Sequence, residues 1–118
     1  MKVKRGVKLE GLKIQMRYVL IEAEALWREF GQECVITSGT EYVPDWSHLK
    51  GDNYLIHSPG SLHHFGYALD FRNHYFSEVD KVRIVAKLQS RLNKISTRYS
   101  VRLEQTHVHV QFKGPQCL

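Results

Sequence analysis

The chain has 118 residues, of which 42% are hydrophobic and 25% are charged. This is the composition of an ordinary globular protein and the size of one domain, residues 1–118. The formal charge of +5 at pH 7 favours an anionic partner such as nucleic acid, anionic lipid or an acidic cell-wall polymer. No run approaches the roughly 18 consecutive apolar residues of a membrane span, so the sequence excludes a membrane-spanning helix.

The N-terminus and the cysteines bear on where the protein works. Much of the positive charge lies in a segment that is predicted to be a solvated tail: Lys2, Lys4, Arg5 and Lys8. No apolar segment follows these residues, so we expect synthesis in the cytoplasm without a secretory signal. Cys34 and Cys117 lack the spacing of a metal-binding pair, and we expect two free thiols, as a reducing cytoplasm favours.

In chain order, the first predicted element is an amphipathic helix. Between residues 12 and 30, apolar side chains recur at three- and four-residue steps, and Gly31 ends the pattern. Residues 33–38 are a β-prone run and are predicted to form a strand. Residues 39–62 contain glycine, proline and scattered aromatic residues without a period, which indicates a long loop, and such loops are usually functional in compact domains.

The second half is predicted to contain three strands and one helix. Residues 67–72 alternate apolar and polar side chains, as a half-buried strand does, and residues 99–103 and 107–112 do the same. Ser77 has the position of a helix N-cap, and the predicted buried stripe of that helix is Val79, Val82, Val85, Ala86, Leu88, Leu92 and Ile95. This order of elements predicts an α+β fold, with a small, mainly antiparallel sheet and two flanking helices.

The last predicted strand carries two histidines on one face. Period-2 geometry directs His107, His109 and Gln111 to one side and apolar residues to the other, where they can pack on the helices. Glu104 precedes His107 by three residues. The two histidines can direct nitrogen atoms to one point, although the same pattern is also typical of a polar face exposed to solvent.

A second group of polar residues lies around the strand at residues 67–72. His63 precedes this strand and Asp70 lies within it, while Gly66 permits a tight turn and Ala68 leaves space beside the carboxylate. Imidazole and carboxylate are ligands of catalytic zinc sites, which use three protein groups and leave a fourth position for water. Together with the last strand, His63 and Asp70 therefore predict a site for one zinc ion.

Residues 61–70, SLHHFGYALD, resemble the SxHxxGxAxD motif of the zinc D-Ala-D-Ala peptidases, in the superfamily of lysostaphin, D-Ala-D-Ala metallopeptidases and sonic hedgehog. Every fixed position of that motif is matched: Ser61, His63, Gly66, Ala68 and Asp70. Further on, EQTHVHVQF resembles the second motif of the superfamily, which occurs as ExxH or as HxH. The resemblance covers residues 33–113 and extends to small phage-encoded members.

The resemblance implies a hedgehog/D-Ala-D-Ala peptidase-like fold and a zinc peptidase that hydrolyses a peptide bond in peptidoglycan stem peptides, as a D-Ala-D-Ala carboxypeptidase or as an endolysin-type endopeptidase. It also implies that His63 and Asp70 bind the zinc ion. In the HxH pattern His109 is the third ligand and His107 assists catalysis, whereas in the ExxH pattern His107 is the ligand. We favour His109, because the middle of a strand suits a fixed ligand. Glu104 is then the expected general base, which passes a proton from water to the leaving amine.

One departure from the family concerns the substrate. Many members carry an arginine shortly after the first strand that grips substrate oxygens, and residues 38–42 contain none. Arg72 lies on the same strand face as Asp70 and is a candidate replacement, the alternative being a salt-bridge residue. Ser61 is the second predicted substrate-binding residue.

The main alternative to a peptidase is a non-catalytic, zinc-containing binding module of the same fold, for instance a phage structural or tail component. A His-Asn-His nuclease would need a helix after its strand pair, and a cupin would need an all-β barrel. We therefore expect peptidoglycan peptides as the partner, without nucleic acid or membrane. The protein is expected to act on the cell wall after release from the cytoplasm, or within a phage particle.

Overall fold

A computed structural model of the chain describes residues 1–41, 62–63 and 65–113. This part of the chain forms two helices and five strands: β1 (Lys2–Val3), α1 (Gln15–Glu29), β2 (Val35–Ser38), β3 (Ala68–Arg72), α2 (Glu78–Asn93), β4 (Tyr99–Leu103) and β5 (His107–Phe112). The strands form one sheet in the order β1-β2-β3-β5-β4. The β1–β2 pair is parallel and the other three pairs are antiparallel. The predicted α+β class with a mainly antiparallel sheet is confirmed.

The first helix, α1, has the buried face that the apolar spacing predicts. Its fully buried side chains recur at three- and four-residue steps and are Met16, Val19, Ala23, Leu26 and Trp27. Trp27 also connects the helix to the sheet, because its Nε1 donates a hydrogen bond to the Arg72 carbonyl oxygen at 2.9 Å. Gly31 adopts a positive φ of 76° just after the helix, a conformation that ends helices and that glycine adopts without strain.

The predicted buried stripe of α2 is wrong in its first half. Val79 and Val82 are 67% and 61% exposed, Ala86 is also exposed, and Ile95 is 45% exposed beyond the end of the helix. The buried line is instead formed at four-residue steps by Ile84, Leu88 and Leu92, with Val85 partly buried beside it. Successive helical residues turn by about 100°, so Val82 lies roughly 200° away from Ile84 and faces solvent. The Ser77 N-cap is confirmed, since its Oγ accepts a hydrogen bond from the Asp80 amide.

The basic N-terminus is not the solvated tail that the sequence predicts. Its side chains are exposed, but the backbone of β1 pairs with β2, and the Lys4 amide donates to the Ile36 carbonyl oxygen at 2.9 Å. The pairing depends on residues more than thirty positions away, which no local pattern of charges indicates. β1 therefore provides one edge of the sheet.

The register of β3 and β5 separates an apolar face from a polar face. Phe71 pairs with Val108, and both are fully buried against the helices. The alternate pairs are Asp70 with His109 and Arg72 with His107, which lie on the opposite face because side chains alternate along a strand. The sheet thus presents the polar residues of both sequence motifs on the face away from the helices.

Several sequence predictions fall on residues that the structure does not describe. The predicted loop at residues 39–62 is described only at residues 39–41 and 62, and Ser61 and Cys117 lie outside the described residues. Cys34 is a buried free thiol, as predicted. Neither helix in the described part of the chain has the length and apolar character needed to cross a bilayer.

Candidate metal centre

Asp70 is the centre of the polar cluster. It lies on β3 between β2 and β5, opposite Ser38 on one side and His109 on the other, and it is buried. Three imidazole rings surround its carboxylate, those of His63, His107 and His109. A buried carboxylate needs hydrogen-bonding or charged partners, and the histidines supply them.

His109 contacts Asp70 directly across the two paired strands. The distance from His109 Nδ1 to Asp70 Oδ1 is 2.8 Å. The other ring nitrogen, Nε2, lies 2.8 Å from Gln111 Oε1. Without a metal, the proton on Nδ1 is donated to Asp70; with its proton on Nε2 instead, His109 would donate to Gln111 and leave the Nδ1 lone pair for a metal ion.

His63 comes from a turn rather than from the sheet. The turn is closed by a hydrogen bond from the Tyr67 amide to the Leu62 carbonyl oxygen at 2.8 Å. Gly66 within it has φ of 83°, and a Cβ there would lie only 2.2 Å from the Gly11 carbonyl oxygen, so this position requires glycine. The tight turn sets the buried His63 ring above the sheet beside Asp70.

The two nitrogens of His63 have different partners. Nδ1 lies 3.0 Å from the Gly39 carbonyl oxygen, to which it can donate. Nε2 lies 3.4 Å from Asp70 Oδ2. With its proton on Nδ1, His63 would donate to Gly39 and leave the Nε2 lone pair for a metal ion held beside the same carboxylate that His109 contacts.

These three side chains can hold a metal ion. One ligand atom from each of His63, Asp70 and His109 lies within 4.8 Å of the others, and all three residues are buried. In metal sites, a ligating histidine usually donates its other ring N–H to an oxygen acceptor, which fixes the tautomer and the ring orientation. Gly39 supplies such an acceptor for His63 and Gln111 supplies one for His109. The surroundings of both rings therefore fit metal coordination, and so do the ligand atoms.

The electrostatics of the cluster favour a charged Asp70. Burial alone would raise the pKa of Asp70, but hydrogen bonds from His109 and His63, together with the charges of His63 and His107, outweigh it and keep that pKa well below its usual range. Burial lowers the pKa of His109. The hydrogen bonds with Asp70 and Gln111 and the charge of Asp70 raise that pKa by more, so the net shift is upward. Asp70 is therefore an anion in this cluster, and its negative charge would also attract a bound metal ion in place of the histidine protons.

His107 lies beside this three-residue group rather than within it. Its Nε2 is 3.6 Å from Asp70 Oδ2, and its side chain is 30% exposed, compared with 10% for His109. The Nδ1 atom is 3.1 Å from the Thr106 hydroxyl oxygen. The sequence leaves open whether His107 or His109 is the third ligand. The geometry favours His109 as the ligand and leaves His107 on the more exposed side.

Glu104 lies in the turn between β4 and β5. Its amide donates to the His107 carbonyl oxygen at 2.9 Å, while its side chain is 41% exposed and lies 3.9 Å from Arg102 Nε. Within the described ranges, no hydrogen bond or ion pair joins its carboxylate to His63, Asp70 or His109. The structure therefore does not bring the predicted general base together with the predicted ligands.

Arg72, the predicted substrate-binding residue, lies at the end of β3 opposite His107. Its side chain is half-buried and forms no ion pair with any acidic residue of the described part of the chain. The sequence left Arg72 as either a substrate-binding residue or a salt-bridge residue, and these contacts do not support the salt bridge. Ser61, predicted with it, lies outside the described residues.

Three residues support the site without having been predicted as site residues. The buried Glu41 accepts hydrogen bonds from the Gly39 amide at 2.9 Å and the Lys8 amide at 3.2 Å, and so holds the backbone whose carbonyl contacts His63. Gln111 shares a strand face with His109, as strand alternation predicts, and its contact with the ring is seen only in the structure. Glu41 and Gly39 follow β2 and meet His63 only in the folded chain, so no local signal marks them.

Comparisons of the chain with models of protein families, with curated proteins and with solved structures find no match. The fold and the site by themselves define a class: an α+β domain with a buried His-Asp-His group, able to hold a metal ion, on the face of its sheet away from the helices.

Proposed function

We propose that this protein is a zinc-dependent peptidase that hydrolyses a peptide bond in peptidoglycan stem peptides. The observation that carries the proposal is the buried group of His63, Asp70 and His109, with His107 adjacent to it on the exposed side. A catalytic metal site needs three protein ligands and an approach for substrate, and this arrangement meets both needs. The protein would be made in the cytoplasm and would act on the cell wall after release, or within a phage particle.

Zinc suits the donor set better than the other common metal ions. Two imidazoles and one carboxylate are a usual ligand set of catalytic zinc, whereas calcium and magnesium prefer oxygen ligands. Two neutral histidines and one carboxylate leave a net positive charge on a divalent ion. When bound, such an ion would supply an acidified water and a Lewis acid for the substrate carbonyl.

His107 is the residue that we assign to the transition state. Its ring has one nitrogen toward Asp70 and the other toward the Thr106 hydroxyl, so it is oriented but still accessible. A proton on Nε2 would let it donate a hydrogen bond to the oxygen that gains negative charge when the carbonyl is attacked. This role requires no movement of β5.

Glu104 is proposed as the general base, and this role requires the side chain to move. Its contact with Arg102 is long and exposed, and such a pair holds a side chain only weakly. Rotation away from Arg102 would be needed before the carboxylate could take a proton from water and deliver it to the leaving amine. Arg72 and Ser61 are proposed to contact the substrate.

The test combines metal analysis with product analysis. The purified protein should contain one zinc ion per chain and should release stem-peptide fragments from a peptidoglycan digest, as measured by elemental and mass spectrometry. His107→Gln and Glu104→Gln should each lower the rate by about a hundredfold or more, as loss of an acid–base group does, without loss of zinc. Glu78→Gln, an exposed glutamate on α2, is the matched control and should leave the rate unchanged. Unchanged activity of Glu104→Gln would remove that residue from its role.

A second candidate function is a non-catalytic module that keeps zinc for structure. The position of Glu104, which faces Arg102 rather than the metal-binding group, favours this alternative. In that case the protein would bind zinc stoichiometrically and release no fragments, and chelation would lower its stability without any activity to lose.

A further inference from the structure

The first helix has a second apolar stripe on the side away from the core. Its members recur at four- and three-residue steps and are Ile14, Tyr18, Ile21 and Ala25. Ile14 and Ile21 are each 64% exposed, Tyr18 is 47% exposed, and Ala25 is exposed as well. Ile14 directly precedes α1 and has helical backbone angles, so it continues the line of the helix. Because successive helical residues turn by about 100°, the four side chains lie within about 60° of one another, opposite the buried face.

This spacing is typical of a helix that packs along another helix. Apolar residues at alternating steps of three and four form the contact line of paired helices, and charged residues on either side of the line select the partner and its direction. Single exposed apolar residues are common on protein surfaces, whereas a continuous row of them marks an interaction surface. The row on α1 runs for about 16 Å, which is three turns of helix.

The charged residues on one flank of the stripe suit a second copy of the same helix. Arg17 and Glu24 lie on this flank, about two turns apart. Arg17 forms no ion pair in the part of the chain that the structure describes. Glu24 contacts Arg28 and the N-terminal amine of Met1, both at 3.2 Å and both through Oε1, so its Oε2 is the oxygen that a further cation would approach.

An antiparallel pair of α1 helices would join these two residues. A two-fold axis perpendicular to both helices sets a flank against the same flank of the second copy, in reverse order. Arg17 of each copy would then face Glu24 of the other, which gives two pairs of opposite charge. A parallel pair would bring Arg17 close to Glu22 of the second copy, but it would also bring Glu24 close to Glu29, which is unfavourable. The helix dipoles also oppose each other favourably only in the antiparallel pair.

An anionic membrane surface suits the stripe less well than a second copy does. Helices that lie on such membranes carry mainly basic residues on their polar face. α1 has three glutamates and two arginines, so its polar residues would be repelled by anionic lipid. The same mixture of charges is what permits the helix to be complementary to itself.

We propose that the protein self-associates through this stripe as a two-fold symmetric dimer with antiparallel α1 helices. A contact of only about three helical turns does not reach the roughly 1,200–2,000 Å² of a standard interface. We therefore expect a weak dimer, with a Kd of about 10–100 µM. The helices and the metal-binding group lie on opposite faces of the sheet, so the dimer would leave the metal-binding group of each copy uncovered. The proposal does not depend on the peptidase function.

The first test is sedimentation-velocity ultracentrifugation of the full-length protein, at concentrations from about tenfold below to about tenfold above that Kd. We expect the sedimentation coefficient to rise from the monomer value to the dimer value. Ile21→Ser should weaken self-association by about tenfold or more, because each copy loses an apolar contact. Val82→Ser is the matched control, since Val82 is 61% exposed on the other helix, and it should leave self-association unchanged. Circular dichroism would show that both variants fold.

The second test exchanges the charges of the predicted pair. Arg17→Glu and Glu24→Lys should each weaken self-association by about tenfold or more, because each variant sets like charges against each other in its own dimer. An equimolar mixture of the two variants should regain it, because the mixed dimer has two pairs of opposite charge. Recovery of Arg17→Glu by Glu22→Lys rather than by Glu24→Lys would overturn the antiparallel arrangement in favour of a parallel one.

The remaining outcomes separate this dimer from other partners and from the peptidase proposal. A protein that stays monomeric at every concentration, or equal self-association of Ile21→Ser and Val82→Ser, would overturn the dimer. Binding of a monomeric protein to vesicles of anionic phospholipid, with loss of that binding in Ile21→Ser, would also overturn it and assign the stripe to a membrane surface. A monomeric protein that releases peptide fragments would contradict the dimer and support the peptidase.

Discussion

Asp70 and His109 are direct cross-strand partners, and the Oδ1 and Nδ1 atoms of their side chains lie 2.8 Å apart. The contact is set by the register of two strands inside the sheet. A slip of β5 by one residue would turn His109 toward the apolar core. The core side chains Val108 and Val110, which flank His109 and are fully buried, therefore hold one half of the metal-binding group in position.

Gln111 should tune metal affinity without binding the metal. Its Oε1 accepts from His109 Nε2, so Gln111→Leu removes the group that orients the ring. We expect zinc affinity to fall by about tenfold to a hundredfold, the usual effect of losing such an outer contact, as measured by competition with a chelator of known affinity. Gln105→Leu, in the exposed turn, is the control. Equal affinities for the two variants would contradict the orienting role of Gln111.

Metal affinity should rise with pH across the range in which His109 loses its proton. Contacts with Asp70 and Gln111 raise the pKa of His109 above its ordinary value despite burial, and the charged Asp70 is already deprotonated at neutral pH because its pKa is lowered. Only neutral imidazole binds a metal, so the proton on His109 competes with zinc below that pKa. We expect affinity to increase by up to about tenfold per pH unit for one released proton, measured between pH 5.5 and 8 by the same competition titration. An affinity independent of pH would contradict this coupling.

Removing Glu41 should destabilise the protein although Glu41 is not a predicted metal ligand. The buried carboxylate accepts from the Gly39 and Lys8 amides, and hydrogen bonds to a charged group contribute about 1.5–3 kcal/mol. Glu41→Ala should lower the free energy of unfolding by about that range in urea denaturation. Glu41→Gln should cost less, because the amide oxygen still accepts. The exposed Glu10→Ala is the comparison, and a loss of stability as large as that of Glu41→Ala would argue against this role.

The face of α2 that packs on the core can be tested with a pair of substitutions. Ile84 is fully buried, so Ile84→Ala should lower the free energy of unfolding by about 2–5 kcal/mol. Val82 is 61% exposed, and Val82→Ala should change it by no more than about 0.5 kcal/mol. Thermal or urea denaturation measures both. A larger loss of unfolding free energy for Val82→Ala than for Ile84→Ala would support the buried stripe that the sequence predicts.

Cys34 should be inert in the folded protein. It is buried among core residues, and burial, as the largest effect, raises the pKa of its thiol to about 12. Almost no thiolate then exists at pH 8, and the thiolate is the reactive form. In a Cys117→Ser background, iodoacetamide should label the native protein negligibly and the urea-unfolded protein fully, as mass spectrometry would show. Rapid labelling of the native state would contradict the buried position.

The sequence alone determined the features that depend on local periodicity. Alternation in residues 107–112 separated the histidines from the buried Val108 and Val110, and three- and four-residue spacing identified the packed face of α1. Side-chain direction in a regular strand or helix follows from the backbone itself, which is why these predictions agree with the structure. The grouping of His63, Asp70 and a histidine of β5 came from the motifs, and the structure brings these residues together.

Only the tertiary structure decided the features that depend on distant pairing. The valines of α2 and Ile84 are equally apolar, and only the packing of α2 against α1 and β4 selects which of them is buried. β1 becomes a strand because β2 offers it an edge, and this pairing places Lys4 in the same pocket lining as Arg72. The contact between Glu104 and Arg102 likewise depends on the turn between two strands. The contacts that support His63 join it to Gly39 and Glu41, which lie far from it in the chain. Such contacts depend on the topology of the chain and on the competition among many side chains for the same space. A local sequence pattern contains no information on either.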